Sequence, residues 1–239
     1  MKALHAWDVD VAEAKGIQKD LRDRVVLRNT FSRIKKIGGA DAAYTKDGNL
    51  ILGAVVVFSF PAMERLDLTT ASAKTTFLYI PGLLSFREGP VLIDAFKMLK
   101  VKPDVMIFEG QGICHPREFG LASHLGLWLN IPSVGCTKTS LLRVPVTVEA
   151  GKGHHQIIRK DEKEVGAILR TKENVKPVFV SPGHKIDLAT SIELVLATCR
   201  GYRMPEPLRV AHQVACCMLK QMEKKSKVEC RRSYVALGE

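Results

Sequence analysis

The sequence predicts a mixed α/β protein with one central sheet, in which an antiparallel three-strand meander is followed by parallel strands flanked by helices. Strand-type segments at residues 34–44, 50–60 and 65–73 are joined by short turns, which is typical of a meander. Two short apolar segments, 105–108 and 133–137, follow later with a helical pattern between them. A strand, a helix and a second strand in succession indicate a parallel crossover.

The first predicted element is an amphipathic helix over residues 10–27. Asp10 is suited to cap its N-terminus, and Glu13 stands at the capping-box position three residues later. Ile17, Leu21 and Val25 recur at every fourth residue and give one apolar stripe, which predicts a scaffold helix.

Turn residues delimit the three strands of the meander. Asp47-Gly48 is a strong hairpin signal between the first and second strands. Pro61 ends the second strand. The first strand contains Gly38 and Gly39, which allow close packing, and Asp41 stands among small residues.

The helix that follows the meander is predicted to end near Leu99. Ser85 and Glu88 have capping-box spacing, which gives Glu88 a structural interpretation at the helix N-terminus. Pro90 is then expected in the first turn, where its missing N–H does least harm.

The stretch from Lys102 to Lys138 organises the second half of the chain. The run 105–108 predicts a strand buried on both faces, and it ends at Glu109 beside Gly110-Gln111-Gly112. A carboxylate in such a place, beside glycines, is a common way to build a metal or phosphate site. Because parallel strands end at one edge of a sheet, Glu109 and Lys138 are expected to face one crevice.

The pattern weakens after this stretch. It predicts a hairpin over 156–169, a short strand over 177–181, a helix capped by Asp187, and a last helix with Pro207 at its first position. No internal repeat is present. Residues 1–222 are expected to form a single domain, and residues 223–239 a basic C-terminal tail that need not be ordered.

Composition narrows the function classes. The net charge of +11 and the pI near 9.5 favour a polyanionic partner, most commonly nucleic acid. The apolar runs are too short to span a membrane, and the N-terminus lacks a signal-peptide core. We therefore expect a cytoplasmic protein with no membrane association. The six cysteines include no C-x-x-C pair, so they are expected as reduced thiols rather than zinc ligands.

Three acids are candidates for chemistry: Asp41, Glu88 and Glu109. They converge if the fourth strand lies beside the first, a neighbourhood that sequence does not determine. Converging carboxylates would bind Mg²⁺ or Mn²⁺, which prefer oxygen ligands. The metal would align a water and stabilise charge on a phosphodiester. Each acid taken singly is more often structural or exposed.

Three basic residues have two interpretations each. Lys138 would neutralise a phosphate, or it is a surface lysine that ends a strand. His115 would bond a phosphate or a base, or it is a loop imidazole bonded to backbone. For His212 the favoured interpretation from the residues alone is a satisfied, half-buried histidine.

Six collinear motifs then point to a known family. They are GGADAAY (38–44), YIPGLLSFREGP (79–90), KPDVMIFEGQGICHPREFGLASHLG (102–126), IPSVGCTK (131–138), ILRTKENVKPVFVSPGH (168–184) and PEPLRVAH (205–212). Together they resemble the endonuclease V family, divalent-metal nucleases that act on inosine-containing nucleic acid. The resemblance implies a ribonuclease H-like fold. It also implies hydrolysis of the phosphodiester one nucleotide 3′ of inosine, in nucleic-acid repair, leaving a 3′-hydroxyl and a 5′-phosphate.

The resemblance also implies residue roles. Asp41 and Glu109 match the metal-holding acids, with Mg²⁺ expected and Mn²⁺ as a substitute, and Glu88 completes the acidic set. Lys138 and His212 match the residues that attend the scissile phosphate and the metal waters.

The substrate residues follow in the same way. The segment formed by Tyr79, Ile80, Pro81 and Gly82 resembles the wedge that separates the strands beside the lesion. Leu84 and the backbone at Gly110 and Gly112 resemble the pocket for the flipped base, since a base cannot be inspected inside the stack. The partner is expected to be inosine-containing DNA or RNA, bound by a monomer.

Two positions depart from the family pattern. Glu109 stands where the family has Asp, which moves the carboxylate out by about 1.5 Å. Mg²⁺ demands near-ideal geometry, so an inosine binder with weak or no catalysis is an alternative to an active nuclease. Leu78 stands where the wedge motif usually begins with Pro. A nuclease indifferent to inosine is a third hypothesis, and the sequence does not decide between DNA and RNA.

Overall fold

A computed structural model describes the backbone of residues 3–236 and the side chains of residues 3–223. The strands are β1 (Lys36–Tyr44), β2 (Leu50–Ser59), β3 (Arg65–Lys74), β4 (Val105–Glu109), β5 (Ser133–Thr137), β6 (His155–Lys160), β7 (Lys163–Leu169) and β8 (Val178–His184). The helices are α1 (Val11–Arg22), α2 (Leu84–Met98), α3 (Leu121–Leu129), α4 (Leu188–Ala197) and α5 (Glu206–Ala236).

The strands form one eight-stranded sheet in the order β3-β2-β1-β4-β5-β8-β7-β6. β1, β2 and β3 pair antiparallel, whereas β1–β4 and β4–β5 pair parallel. This confirms the predicted meander followed by parallel strands. The distal strands β8, β7 and β6 extend the sheet by antiparallel pairing.

Two apolar layers cover the two faces of the sheet. On one face α4 and α5 pack through residues such as Leu208 and Val195 against Ile37 and Ile107. On the other face α2 and α3 pack against the alternate residues of the same strands, such as Phe108. Burial on both faces explains why central strands such as β2 and β4 are continuously apolar rather than alternating.

The first helix keeps its predicted cap but is shorter than predicted. The Asp10 carboxylate accepts the Glu13 N–H at 2.8 Å, and Glu13 accepts the Asp10 N–H at 2.9 Å, which completes the capping box. The helix ends at Arg22 rather than at Leu27. Val25, the last residue of the predicted stripe, packs instead against the small core cluster around the β6–β7 hairpin.

The predicted start of α2 is wrong. The helix begins at Leu84, and its N-cap residue, Leu83, makes no side-chain cap. Pro90 is consequently the seventh helical residue and lies in the second turn. Ser85 and Glu88 form no capping box, because each hydrogen-bonds a side chain from another element.

The last helix also begins one residue earlier than predicted, so Pro207 is its second residue. Its backbone continues to Ala236, through part of the segment expected as a tail; residues 237–239 lie outside the described part of the chain. Within the described residues no helix is long and apolar enough to cross a bilayer.

Candidate active site

Two carboxylates lie side by side where β1 and β4 pair. Ala40 is the register partner of Phe108, so the next residue of each strand, Asp41 and Glu109, is adjacent to the other. Both point to the face covered by α5, because Ile37 and Ile107 lie an even number of residues before them and are buried on that face. Asp41 is 6% exposed.

The helix α5 brings His212 to this pair. A side chain at Gly39 would place its Cβ 2.3 Å from the Pro207 carbonyl carbon, so only glycine lets the start of α5 lie this close to β1. One and a half turns later, His212 Nδ1 is 2.7 Å from Asp41 Oδ2. The hydrogen bond to Asp41 raises the pKa of His212, and burial opposes the shift.

The third acid reaches the site from the opposite face of the sheet. Glu88 on α2 accepts a hydrogen bond from the Tyr44 hydroxyl at 2.7 Å. The pKa of Glu88 is raised to about 8: burial is the main cause, the Tyr44 bond lowers it, and the negative charges of Asp41 and Glu109 add to the rise. The three acids therefore form one electrostatic cluster, as the convergence hypothesis required.

Basic groups stand around Glu109. Burial raises the pKa of Glu109 to about 7, and Asp41 adds to the shift. Lys138, His212 and Arg203 act in the opposite direction. Lys138 is exposed directly after β5, and Arg203 donates to its backbone carbonyl at 3.2 Å.

The donor set at this cluster fits a hard divalent cation. Carboxylate oxygens are the ligands that Mg²⁺ and Mn²⁺ prefer, and a cation would offset the burial that raises the pKa of Glu88 and Glu109. Among the described residues no group of three or more His, Cys, Asp or Glu side chains is arranged to hold a metal. Asp41 and Glu109 could supply two direct ligands to a Mg²⁺ ion that retains several waters.

A cavity of about 120 Å³ adjoins the acid cluster. It is far smaller than a drug-sized pocket and has room for one flat ring system. The predicted substrate residues that line it are Tyr79, Ile80, Pro81, Gly82, Leu84, Gly110 and His115. Gly110 directly follows Glu109, so the cavity and the acid pair share the end of β4.

Gly112 is the one predicted substrate residue that does not line the cavity. Its N–H donates to Ser181 Oγ at 2.7 Å. A Cβ at this position would lie 2.0 Å from the Pro182 carbonyl oxygen. Gly112 therefore packs the strand-end loop against β8.

The predicted wedge segment protrudes at the cavity rim. Tyr79 is 67% exposed and Leu78 is 77% exposed. Gly82 closes the segment with a φ of +83°, a left-handed conformation that favours glycine. Large exposed apolar side chains next to a cavity indicate a contact surface for a partner.

His115 is placed by backbone bonds. Its Nε2 is 3.0 Å from the Gly82 carbonyl, and its Nδ1 accepts the Arg117 N–H at 3.1 Å. Burial lowers the pKa of His115 to about 4, so the ring is neutral with its proton on Nε2. Both nitrogens are occupied, and His115 contributes to the cavity as a ring surface that anchors Gly82.

Several cavity residues were not found from the sequence. They are Gln18, Ser85, Gln111, Gly120, Leu121, Thr137, Thr139 and Leu141. They come from five separate parts of the chain, and no periodicity or motif spacing links them. Tyr44 was also missed, because nothing in a strand sequence indicates a hydrogen bond to a helix on the other side of the site.

The chain is similar to known proteins over most of its length. The family model for endonuclease V matches residues 19–213. The endonuclease V of Dictyoglomus thermophilum is 46% identical over 200 residues, which cover 84% of this chain and 87% of that protein.

Solved structures are also similar. The endonuclease V of Streptomyces avermitilis superposes with a TM-score of 0.85 at 34% identity, over 91% of this chain and 96% of that chain. A variant of Ciona intestinalis endonuclease V in complex with a 23mer DNA containing an inosine followed by a ribo-adenosine gives a TM-score of 0.80 at 30% identity, over 89% and 98%. The mixed sheet is thus a ribonuclease H-like fold. The chain belongs to the endonuclease V family.

Proposed function

We propose that this protein is a divalent-metal-dependent endonuclease that recognises inosine in DNA or RNA. It hydrolyses the phosphodiester one nucleotide 3′ of the inosine and leaves a 3′-hydroxyl and a 5′-phosphate. The proposal extends to a monomer that acts in nucleic-acid repair in the cytoplasm, with Mg²⁺ as the cofactor and Mn²⁺ as a substitute.

One observation carries the proposal: the acid cluster and the base-sized cavity meet at consecutive residues, Glu109 and Gly110. A base held in the cavity leaves its own strand at the mouth, beside Asp41 and Glu109. The exposed ring of Tyr79 stands at the same mouth, where it would fill the space that the base leaves in the stack.

The chain's own residues would divide the chemistry between them. Asp41 and Glu109 would hold the metal, and Glu88 would bind a metal water. The bound metal would supply a polarised water and charge stabilisation on the phosphodiester. Lys138, exposed at the end of β5, would neutralise a phosphate oxygen.

His212 would take up the proton that the attacking water releases. Its Nδ1 is held by Asp41, and its Nε2, which lies 3.6 Å from Cys216 Sγ, is the nitrogen that would accept the proton. The water oxygen would bond to phosphorus as the bond to the 3′-oxygen breaks, and the leaving oxygen would be protonated to a 3′-hydroxyl.

Cleavage of matched oligonucleotides tests this function. Four strands of one sequence, with inosine or adenosine in a DNA or an RNA backbone, are incubated with Mg²⁺, Mn²⁺ or EDTA. We expect cleavage of inosine strands only, and only with metal, at the second phosphodiester 3′ of the inosine. Ligation of the downstream product without prior phosphorylation would show its 5′-phosphate. Equal cleavage of adenosine strands would indicate a nuclease indifferent to inosine.

The second candidate, an inosine binder with weak or absent catalysis, is favoured by Glu109. This side chain is about 1.5 Å longer than the Asp of the family pattern, and burial raises its pKa to about 7. Glu109→Asp separates the candidates. If the wild type binds inosine strands without cleaving them and Glu109→Asp cleaves, the binder is correct. If the wild type cleaves, we expect Glu109→Asp to raise the Mg²⁺ rate relative to the Mn²⁺ rate by about tenfold, since Mg²⁺ is stricter in geometry.

A further inference from the structure

A chain of hydrogen bonds runs from the N-terminal segment to the wall of the cavity. Ser85 lines the cavity, and its Oγ is 2.8 Å from His124 Nδ1. The other nitrogen of that ring, Nε2, is 2.6 Å from His5 Nε2. His5 Nδ1 is in turn 2.7 Å from the carbonyl oxygen of Ala6. No role proposed above accounts for these hydrogen bonds.

The Ala6 carbonyl determines which group donates in each of these hydrogen bonds. The Ala6 carbonyl can only accept, so His5 Nδ1 carries the proton. Burial lowers the pKa of both His5 and His124, so each neutral ring has a single N–H. His5 Nε2 is therefore an acceptor, and His124 Nε2 donates to it. His124 Nδ1 is then bare and accepts the proton of the Ser85 hydroxyl.

We propose that Ser85 is a specificity-determining residue. The hydrogen bonds from Ala6 through His5 and His124, here called the relay, hold Ser85 Oγ as a hydrogen-bond acceptor toward the cavity. The site then selects a base that presents an N–H, as a 6-oxopurine does at N1. The inference rests on the proposed function, since it concerns how the cavity recognises its base. Ser85 Oγ makes no other hydrogen bond within the described part of the chain, so its lone pairs are what it offers to an occupant.

Packing keeps the relay in one arrangement. His124 is fully buried, and the Trp7 ring stacks on it with centroids 5.0 Å apart and planes at 28°. A Cβ at Gly89 would lie 2.7 Å from Trp7 Cη2, so glycine is what lets the indole fit against α2. Because bulk water does not reach His124, no solvent molecule competes for the ring nitrogens.

The acceptor discriminates through the state of N1. Inosine carries a hydrogen on N1, whereas the unsubstituted purine nucleoside has a bare N1 of similar size and shape. When Ser85 Oγ faces a bare N1, the lone pair of the oxygen and the lone pair of the nitrogen both lack a proton to share. Unpaired polar atoms are costly in a site that excludes water. Sites that hydrogen-bond a substrate N–H reject analogues lacking it strongly for this reason.

The test measures binding in EDTA, so that no strand is cleaved. Fluorescent single strands of one sequence carry inosine, unsubstituted purine or adenosine at one position. The proteins are the wild type, Ser85→Ala, His5→Phe and Ser123→Ala. Ser123 is the matched control, because it is a buried serine beside His124 whose Oγ has no hydrogen-bond partner among the described residues.

We expect Ser85→Ala to weaken inosine binding about tenfold, because inosine loses a bond, and to tighten purine binding about threefold, because the variant no longer presents an unpaired acceptor to the bare N1. Retained purine binding would show that the variant is folded. His5→Phe should reduce the ratio of inosine to purine affinity about threefold, since His124 is then free to change tautomer. His5 does not line the cavity, so this effect would act through His124. Ser123→Ala should change neither affinity.

Two results would overturn the inference. If Ser85→Ala weakened the binding of inosine and purine strands equally, the role of Ser85 would be structural. If His5→Phe kept the wild-type ratio of inosine to purine affinity, the relay would have no part in recognition. The adenosine strand separates this failure from failure of the proposed function. If the wild type prefers inosine to adenosine while Ser85→Ala keeps the full preference, only the role of Ser85 is wrong; if the wild type shows no preference, both are wrong.

Discussion

The acid cluster and the cavity lie next to each other but are built in opposite ways. The cluster places three carboxylates on regular elements: Asp41 on β1, Glu109 on β4 and Glu88 on α2. The cavity is assembled mainly from loops, and its polar groups are already hydrogen-bonded, as at His115 and Gly82. One region is a cluster of like charges that a cation would neutralise, whereas the other is largely hydrogen-bonded before any ligand arrives and keeps Ser85 Oγ as an open acceptor.

This difference determines how substitutions in the acid cluster and in the cavity would affect the protein. A buried like-charge cluster destabilises the fold until a cation neutralises it, because isolated charges are poorly tolerated away from water. A preformed cavity with satisfied polar groups contributes stability by itself. Changes in the cluster should therefore alter chemistry, metal binding and pH dependence, while changes at the cavity should alter recognition alone.

The largest expected effect comes from removing the central acid. Asp41→Ala eliminates one of two proposed direct metal ligands and the hydrogen-bond partner of His212. We expect cleavage of an inosine strand to fall at least about a thousandfold, while binding in EDTA stays within about threefold. Single-turnover cleavage and fluorescence anisotropy on the same strand measure the two quantities.

An acid outside the site is the control for this prediction. Asp94→Asn removes an exposed carboxylate on α2 that pairs only with Lys97, and it should change neither rate nor affinity. If Asp41→Ala cleaved at the wild-type rate, the assigned role of the acid cluster would be wrong.

Without metal, the free energy of unfolding should fall as the pH rises. Proteins whose acids are paired with positive charges show the opposite dependence. Glu109 and Glu88 have folded pKa values of about 7 and 8, above the ordinary value of 4.5. Between pH 6.5 and 8 the folded state retains protons that the unfolded state has released, so rising pH favours unfolding. We expect the free energy of unfolding in EDTA to fall by about 1 kcal/mol across this window, because histidines with lowered pKa values offset part of the effect of the two acids.

Urea unfolding at pH 6.5 and pH 8, in EDTA and in Mn²⁺, measures this dependence. Histidines whose pKa values are lowered by burial contribute the opposite slope, which is largest below pH 6.5 and fades by about pH 7.5; they are His5, His115, His124 and His184. Mn²⁺ should abolish the slope, since the cation replaces the protons. Glu88→Gln should flatten it, whereas the exposed Glu193→Gln should not. If Glu88→Gln showed a pH dependence of the same sign and size as the wild type, the acid cluster would not be its cause.

Local sequence signals predicted the elements better than their ends. The meander strands and the Asp10 capping box are confirmed, because turn residues and caps act within a few residues. The same rule failed at Ser85 and Glu88, where the spacing is correct but partners from other elements take the side chains. A capping motif predicts a cap only when no tertiary hydrogen bond competes for it.

The candidate site shows a similar division. Convergence of Asp41 and Glu109 was expected from an acid within the first strand and an acid at the end of the fourth, yet it depended on β4 lying beside β1, which is a matter of non-local packing. The pairing of His5 with His124 has no sequence signal at all, since the two residues are 119 positions apart and share no periodic pattern. Such contacts exist only once the N-terminal segment has packed against α2 and α3.

The smallest expected effect is at the cavity rim, where the side chain meets solvent. Tyr79 is 67% exposed, so Tyr79→Ala should leave the free energy of unfolding within about 0.5 kcal/mol. If its ring fills the gap left by a flipped base, binding of an inosine in a duplex should weaken about fivefold, while a single strand, which has no partner base to replace, should bind within about twofold. Tyr79→Phe keeps the ring and should match the wild type on both substrates. The ratio of duplex to single-strand affinity therefore distinguishes a wedge from a simple stacking platform: equal losses on both substrates would show that Tyr79 stacks on bases wherever they are and does not separate strands.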